Sequence, residues 1–149
     1  MPSADIAYPP LGALMDHHAF DLDGVRAPQQ VAREKVRETC SKGAQDDIAL
    51  VASELVGNAL QHTDDGPLEL TLDIYQRGMA VGVADGDPDV TAVPVRPAQP
   101  PAPAGAGDKD IPEGGRGLFL VDLCSTERTV EQRHGGKVIT AFIPLAGGR

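Results

Sequence analysis

Apolar residues recur every three or four positions in two stretches of the first half of the chain, which is the spacing of an amphipathic helix. The first stretch begins at Pro28, a residue that suits the first turn of a helix, and it ends at residues 41–43. The second has the strongest apolar stripe in the sequence, and Asp46 or Asp47 favours the positive end of the helix dipole at its start. The sequence therefore predicts two successive helices. Their apolar positions are Val31, Ala32, Val36 and Cys40 in the first helix, and Ile48, Val51, Ala52, Leu55, Val56, Ala59 and Leu60 in the second.

Strict alternation of apolar and polar residues follows the second helix and predicts two adjacent strands. Residues 68–75 place leucines and an isoleucine on one face, and a second strand begins after a turn at Arg77-Gly78. Asp85 continues the phase of the apolar residues in that second strand, so we expect its carboxylate to point to the apolar side. A buried carboxylate is costly without a hydrogen-bonding partner, which indicates a specific role for Asp85.

Two segments lack periodicity. Residues 1–18 contain three prolines and are predicted to form a flexible tail, followed by a short strand at 19–22. Seven of the 13 prolines lie between Pro88 and Pro112. A long aperiodic stretch inside a compact domain is typical of a functional lid or a disordered linker, so we expect a lid at about 86–115.

The end of the chain predicts a short helix at 118–124 and two strands at about 126–134 and 137–145, joined by a hairpin turn at Gly135-Gly136. The order of elements is helix, helix, hairpin, lid, helix, hairpin. This order predicts an α+β fold, a two-layer sandwich in which about three helices cover a mostly antiparallel sheet. We expect residues 19–149 to form a single domain.

The composition excludes several classes of partner. A chain of 149 residues with a formal charge of −9 lacks the basic face that a nucleic acid or an anionic membrane surface requires. No apolar window reaches the length of a membrane span, and the first residues do not resemble a secretory signal. The two cysteines, Cys40 and Cys124, are expected to be buried thiols in a reducing compartment. A cytoplasmic protein is the simplest interpretation.

Polar residues with possible chemistry interrupt the second helix. Glu54 and Asn58 are four residues apart and therefore lie on one face, with Gln61 and His62 one turn later. A carboxylate could activate a nucleophile, and a side-chain amide oxygen could hold Mg²⁺ if a triphosphate supplies further ligands. The alternative is that these residues are only the solvated face of an amphipathic helix.

Glycines mark two further positions. Gly86 follows Asp85 and either permits a close approach or ends the strand in an ordinary turn. The run at 114–117 precedes a helix and could present backbone amides to phosphates, although such a run is weak evidence alone. No Walker A loop is present, because Gly136-Lys137 is followed by Val138 rather than serine or threonine.

The three elements in this order resemble the GHKL ATPase superfamily, which includes gyrase-type ATPases, histidine kinases and anti-sigma-factor serine kinases. Residues 53–62 (SELVGNALQH) are similar to the N box of that superfamily. Residues 83–88 (VADGDP) resemble its first glycine box, and residues 115–121 (GRGLFLV) resemble its second. The resemblance covers roughly residues 19–145.

The resemblance implies a role for each motif residue. Asn58 would coordinate Mg²⁺, Glu54 would act as the general base, and Asp85 would accept a hydrogen bond from the adenine amino group. Thr140 matches a position that often supports the adenine contact. The ATP-binding residues implied in total are Asn58, His62, Asp85, Gly86, Gly115, Arg116, Gly117, Leu118 and Thr140.

The length of the chain favours one branch of the superfamily. A stand-alone domain of this size resembles the anti-sigma-factor, serine-protein-kinase branch of bacterial partner switching. The resemblance implies ATP and Mg²⁺ as cofactors, a sigma factor or a STAS-domain antagonist as partner, and dimerisation. Arg33 matches an arginine that often meets the protein partner in that branch, or is a solvent-exposed helix residue.

The sequence leaves three functions open. The first is a serine kinase that phosphorylates a STAS-type antagonist and also sequesters a sigma factor. The second is a regulator without catalysis, in which nucleotide is structural or absent, and the third is a free-standing ATPase. Two departures from the branch, a long proline-rich lid and the absence of tryptophan, concern the lid and the partner surface more than the nucleotide site.

Overall fold

The computed structural model describes residues 7–8, 10–40, 43, 45–94 and 113–145, with the backbone alone at 7–8 and 113–116. The elements, in chain order, are β1 (Ala7–Tyr8), β2 (Gly12–Asp21), α1 (Pro28–Thr39), α2 (Gln45–His62), β3 (Pro67–Tyr75), β4 (Gly78–Asp85), a 3₁₀ turn (Val90–Ala92), α3 (Glu113–Cys124), β5 (Glu127–Arg133) and β6 (Gly136–Pro144).

The strands form one antiparallel sheet in the order β1-β2-β3-β4-β6-β5. The helices pack on one face of this sheet, so the predicted α+β two-layer sandwich is confirmed. The apolar stripe of α2 and the alternating residues of the central strands fill the space between the layers. This core includes Ala32, Val36, Ile48, Val51, Ala52, Leu55, Val56, Leu70, Leu72, Met79, Val81, Val83, Leu118, Val121, Ile139, Ala141 and Ile143.

The prediction of a flexible tail is wrong for residues 7–8 and 12–18, because β1 pairs with the start of β2 and β2 then pairs with β3. Most side chains in this part of β2 are exposed, so the segment lacks the apolar alternation that identifies a half-buried strand. His17 Nδ1 contacts Asp73 Oδ1, and His18 Nε2 lies 3.0 Å from Asp16 Oδ2. Backbone pairing and these polar contacts hold the strand where the sequence indicated a loose segment.

The third helix and the last hairpin also differ from the expectation. Helix α3 begins at Glu113, so the glycine run lies in its first turn instead of preceding it. The β5–β6 turn is centred on His134 and Gly135, both at positive φ, and Gly136 is the first residue of β6. Residues 86–94 of the predicted lid form a loop with the 3₁₀ turn, and 95–112 lie outside the described residues.

Both cysteines are free and half-buried. Burial raises the pKa of Cys40 to about 11, and burial followed by the charge of Asp47 raises the pKa of Cys124. Both thiols are therefore protonated at neutral pH and pack as small apolar groups. In the described part of the chain, no helix is both long enough and apolar enough to cross a membrane.

Candidate functional site

The C-terminal half of α2 lines a cavity of about 340 Å³ between α1 and α3. Helical spacing directs Glu54, Asn58 and Gln61 to the same side of α2, as the sequence predicted. Gly117 from α3 closes the opposite wall. The structure therefore brings together Glu54 and Asn58 from one motif and Gly117 from another, as lining residues of one cavity. The cavity lining comprises Gln29, Glu54, Gly57, Asn58, Leu60, Gln61 and Gly117.

Asn58 is a buried polar residue at the cavity wall, with 8% of its surface exposed. No described residue forms a hydrogen bond with its side-chain amide. Buried amides in folded proteins almost always have a hydrogen-bonding partner, so an unpaired amide facing a cavity requires an explanation. A ligand or hydrated cation in the cavity would supply the missing interaction.

Glu54 is half-buried and lies against the first turns of α3. A Cβ atom built at Gly117 would lie 2.6 Å from Glu54 Oε1, which is too close for any residue other than glycine without a shift. Gly117 thus lets α3 approach α2 with the Glu54 carboxylate between them. The carboxylate has interactions of its own and is not an isolated charge.

A hydrogen-bond network behind Glu54 fixes α1 to α2. Arg33 Nη1 donates to Ser53 Oγ at 2.9 Å, and Gln29 Nε2 donates to the Ser53 carbonyl oxygen at 2.9 Å. Ser53 is buried, whereas Arg33 is only half-buried. Arg33 is therefore not a fully exposed helix residue. One of its donors is already used by Ser53, so a protein partner could not use all of them. It orients the turn of α2 that carries Glu54.

Asp85 points to the apolar side of the sheet, as its strand phase predicted, and only 3% of its surface is exposed. Lys137, directly opposite on β6 and equally buried, places Nζ 3.1 Å from Asp85 Oδ1. The same oxygen accepts the Asp87 backbone N–H at 2.8 Å, and Nζ also donates to the Asp87 carbonyl oxygen at 3.3 Å. No described residue donates to Asp85 Oδ2, so this buried carboxylate retains an unused acceptor.

The sequence analysis did not select Lys137 as a site residue, because it considered Gly136-Lys137 only as part of a phosphate-binding loop. The alternation of β6 contains the signal, since Lys137 has the same phase as the buried residues Ile139, Ala141 and Ile143. Thr140 has the opposite phase. It lies on the other face of the sheet, near Gly82, and the structure does not bring it to Asp85. The position facing Asp85 belongs to Lys137.

A second cavity, of about 280 Å³, lies between the end of α2 and the loop after β4. His62, Asp64 and Asp65 line one side, and Gly86 and Asp87 line the other. A Cβ atom built at Gly86 would lie 2.6 Å from Asp65 Oδ2, so glycine permits the close approach of the two loops. His62 and Gly86, both candidate site residues, therefore share a cavity, although neither lines the one that contains Asn58.

The start of α3 provides backbone donors. The first N–H groups of a helix lack partners within the helix, and in α3 this first turn includes Gly115 and Arg116. An anion near this end would also meet the positive end of the helix dipole. Leu118 is different, because its side chain is 1% exposed and belongs to the core, so only its backbone remains for a ligand.

These features fit a magnesium nucleotide. The Asn58 amide has no partner among the residues that the structure describes, and one oxygen of the buried Asp85 has no donor among them, while the first turn of α3 offers amides for phosphate. Among the described residues, no group of three His, Cys, Asp or Glu side chains could hold a metal ion alone. A cation held by Asn58 would therefore depend on phosphate oxygens and water, as Mg²⁺ often does.

The model of one family, the histidine kinase-like ATPase domain, matches residues 19–143, which is most of the chain. No match was found among curated proteins. The matched segment contains every candidate site residue, from Gln29 to Thr140, and a domain of this kind supports ATP binding. The chain belongs to the histidine kinase-like ATPase domain family.

Proposed function

We propose that the chain is an ATP-dependent serine-protein kinase that also acts as an anti-sigma factor in bacterial partner switching. One observation carries this proposal: Glu54 and Asn58 lie on the same wall of one cavity, with Gly117 opposite them. A carboxylate for proton removal and an amide for a cation are then adjacent. A domain that only held nucleotide would need the amide but not the carboxylate.

Each residue has a defined task in this proposal. Mg-ATP, when bound, supplies the phosphoryl group. The Glu54 carboxylate accepts the proton of a serine hydroxyl on the partner, and Asn58 holds the cation. Asp85 accepts a hydrogen bond from the adenine amino group through Oδ2, and the amides at Gly115 and Arg116 meet the phosphates.

The proposed protein substrate is a small STAS-domain antagonist, and the proposed sequestered partner is a sigma factor. The support for these partners is the resemblance of the motifs to the serine-kinase branch, together with the position of Arg33 on α1. Arg33 donates a hydrogen bond to Ser53, which directly precedes Glu54 in α2. A partner that contacts α1 would therefore deliver its serine close to the proposed base.

Incubation of the protein with radiolabelled ATP and candidate STAS proteins tests this function. We expect label on one serine of one candidate, and a serine-to-alanine version of that candidate should remain unlabelled. Tight ATP binding without label on any candidate would contradict the kinase proposal.

The ion pair between Asp85 and Lys137 favours a second candidate function, a regulator that binds its partner without catalysis. If Asp85 and Lys137 stay paired while the protein binds its partner, the adenine-binding part of the site remains closed. Partner binding then does not require nucleotide. Calorimetry with Mg-ATP and with ADP separates the candidates. The absence of heat with either nucleotide, combined with retained partner binding, would favour the second.

Replacing Asp85 with asparagine should weaken ATP binding by about 1–3 kcal/mol, because a neutral amide, with one oxygen replaced by a donor group, takes the place of the charged acceptor. The variant also leaves Lys137 without its counter-ion, so affinity must be measured on protein shown to be folded by circular dichroism. Thr140→Val is the matched control on the other face of the sheet, and its ATP affinity should not change. Equal affinities for all three proteins would mean that the base binds elsewhere.

Replacing Gly117 with alanine should separate stability from catalysis. Alanine in a helix is favoured over glycine by about 0.5–1 kcal/mol, and the atom it would strike is the mobile end of the Glu54 side chain. The fold should therefore tolerate the change, while the carboxylate moves. A displacement of about 1 Å can reduce a rate about 10²-fold. Chemical denaturation and a phosphotransfer assay measure the two effects, and an unchanged transfer rate would remove Glu54 from the proposed role.

A further inference from the structure

Lys137 has no task in the function proposed above, yet it is the only described side chain that donates to the proposed base-recognising carboxylate. It lies opposite Asp85 in the β4–β6 register, on the helix-facing side of the sheet. Lysine is rarely buried to this degree without a partner, and its only described acceptors are Asp85 Oδ1 and the Asp87 carbonyl oxygen.

A second buried ion pair among the described residues provides a comparison. Arg128 donates to both oxygens of Asp122, at 2.8 and 2.9 Å, and to the Pro94 carbonyl oxygen at 2.9 Å. That pairing uses both oxygens of the carboxylate, as a structural ion pair should. Lys137 contacts a single oxygen of Asp85 and leaves Oδ2 unused among the described residues. A lysine ammonium does not span both oxygens as a guanidinium does, so the Asp85–Lys137 pair leaves one carboxylate oxygen without a donor among the described residues.

The pair is also closed to the cavities. Neither cavity along α2 is lined by Asp85 or Lys137, although Gly86 and Asp87 line the second. The side chains of the pair are 1% and 3% exposed, respectively. A base that reached Asp85 would first have to displace Lys137 or the adjoining loop.

We propose that Lys137 determines the nucleotide affinity and base selectivity of the site, by occupying Asp85 in the empty protein as an internal substitute for the amino group of the base. This inference rests on the proposed function, because it assumes that Asp85 is the base-recognising residue. The ammonium group and an exocyclic amino group are both N–H donors. They compete because the Asp85 side chain is only 1% exposed, so an amino group can reach Oδ2 only when Lys137 or the adjoining loop moves.

Competition of this kind lowers the apparent affinity. A ligand that binds only an open conformation has its affinity reduced by the fraction of protein that is open. A minor conformation is commonly populated at about 0.1–10%. Removing the Lys137 ammonium should therefore increase ATP affinity at least about tenfold, and it should also make the empty protein less stable, because Asp85 then remains buried without a donor from β6.

Removing the Lys137 ammonium should also increase the selectivity of the site for adenine. A lysine ammonium can donate to the keto oxygen of a purine such as hypoxanthine, whereas a carboxylate can only accept from an amino group. With Lys137 present, a keto purine is tolerated. Without it, the selectivity for ATP over inosine triphosphate should increase.

Isothermal titration of the full chain with Mg-ATP and with inosine triphosphate tests the proposal. The variants are Lys137→Met, the double replacement of Asp85 by asparagine and Lys137 by methionine, and Lys35→Met. Lys35 is the matched control, since it is a lysine on α1 that pairs with Glu38 outside the site. Lys137→Gln, whose neutral amide is a weaker donor to Asp85 than the ammonium, serves if the methionine variant does not fold, and it should also bind ATP more tightly than the wild type.

We expect at least about tenfold tighter ATP binding by Lys137→Met, with little gain for inosine triphosphate. We expect no gain in the double variant and no change in Lys35→Met. Equal or weaker ATP binding by both Lys137 variants would overturn the inference, while labelling of a STAS protein by the wild type would leave the proposed function standing. Tighter binding without labelling of any candidate would support the inference and contradict the kinase function. Absence of binding by every variant would overturn both.

Discussion

Replacing Glu54 with alanine is expected to reduce phosphoryl transfer to a protein serine by about 10²–10⁴-fold, the contribution that a general base typically makes. ATP affinity should change little, because Asn58, Asp85 and the first turn of α3 hold the nucleotide in this account. Glu54 is half-buried against Gly117 and lies one residue after Ser53, which α1 fixes through Arg33 and Gln29. The carboxylate is therefore held in position before a substrate arrives.

Two further variants make the Glu54 experiment specific. Glu54→Gln keeps the size and the hydrogen-bonding capacity of the side chain and should lose transfer to nearly the same extent. Glu34→Gln, on the exposed face of α1, makes the same chemical change outside the cavity and should transfer at the wild-type rate. Rates come from single-turnover labelling at saturating ATP. Transfer by Glu54→Gln at a rate close to wild type would exclude Glu54 as the base.

Replacing Arg128 with methionine is expected to lower the free energy of unfolding by about 3–5 kcal/mol. Arg128 and Asp122 are almost completely buried, and the guanidinium satisfies both carboxylate oxygens as well as the Pro94 carbonyl oxygen. Removing the cation takes away the donors that Arg128 supplies to a buried carboxylate and to a carbonyl. The pair also joins α3 and β5 to the loop that follows β4, so the loss should affect the whole domain.

Urea denaturation monitored by circular dichroism measures this effect. Arg133→Gln is the matched control, because the Arg133–Glu131 pair is exposed, and such pairs contribute about 0–1 kcal/mol. Combining Arg128→Met with Asp122→Leu should recover much of the loss, since no uncompensated charge then remains. A midpoint for Arg128→Met no lower than that for Arg133→Gln would show that the buried pair does not support the fold.

Much of the site could be predicted because side-chain phase follows from element type. Period 3.6 placed Glu54 and Asn58 on one face of α2, and period 2 placed Asp85 on the apolar side of β4. The same rule applied to β6 would have placed Lys137 inward and Thr140 outward. Strand phase alone therefore predicts that Lys137 is buried on the same face as Asp85. The sequence prediction used this phase for β4 and not for β6.

Other features could not be predicted from local patterns. Residues 12–13 are held in the sheet by pairing with β1 and residues 14–18 by pairing with β3, and their mostly exposed side chains carry no periodic signal. The first turn of α3 consists largely of glycine, which has low helix propensity, so its helical state depends on tertiary context. The contact of Arg128 with Pro94 joins residues 34 positions apart, and only the folded chain reveals it.

The central claim is that this domain binds Mg-ATP at the cavity lined by Asn58, and calorimetric titration of the wild type and of Asn58→Ala tests it most directly. The account predicts saturable binding of one ATP per chain to the wild type, dependence on Mg²⁺, and loss of that dependence in Asn58→Ala. Binding that is identical in the two proteins, with and without Mg²⁺, would contradict it.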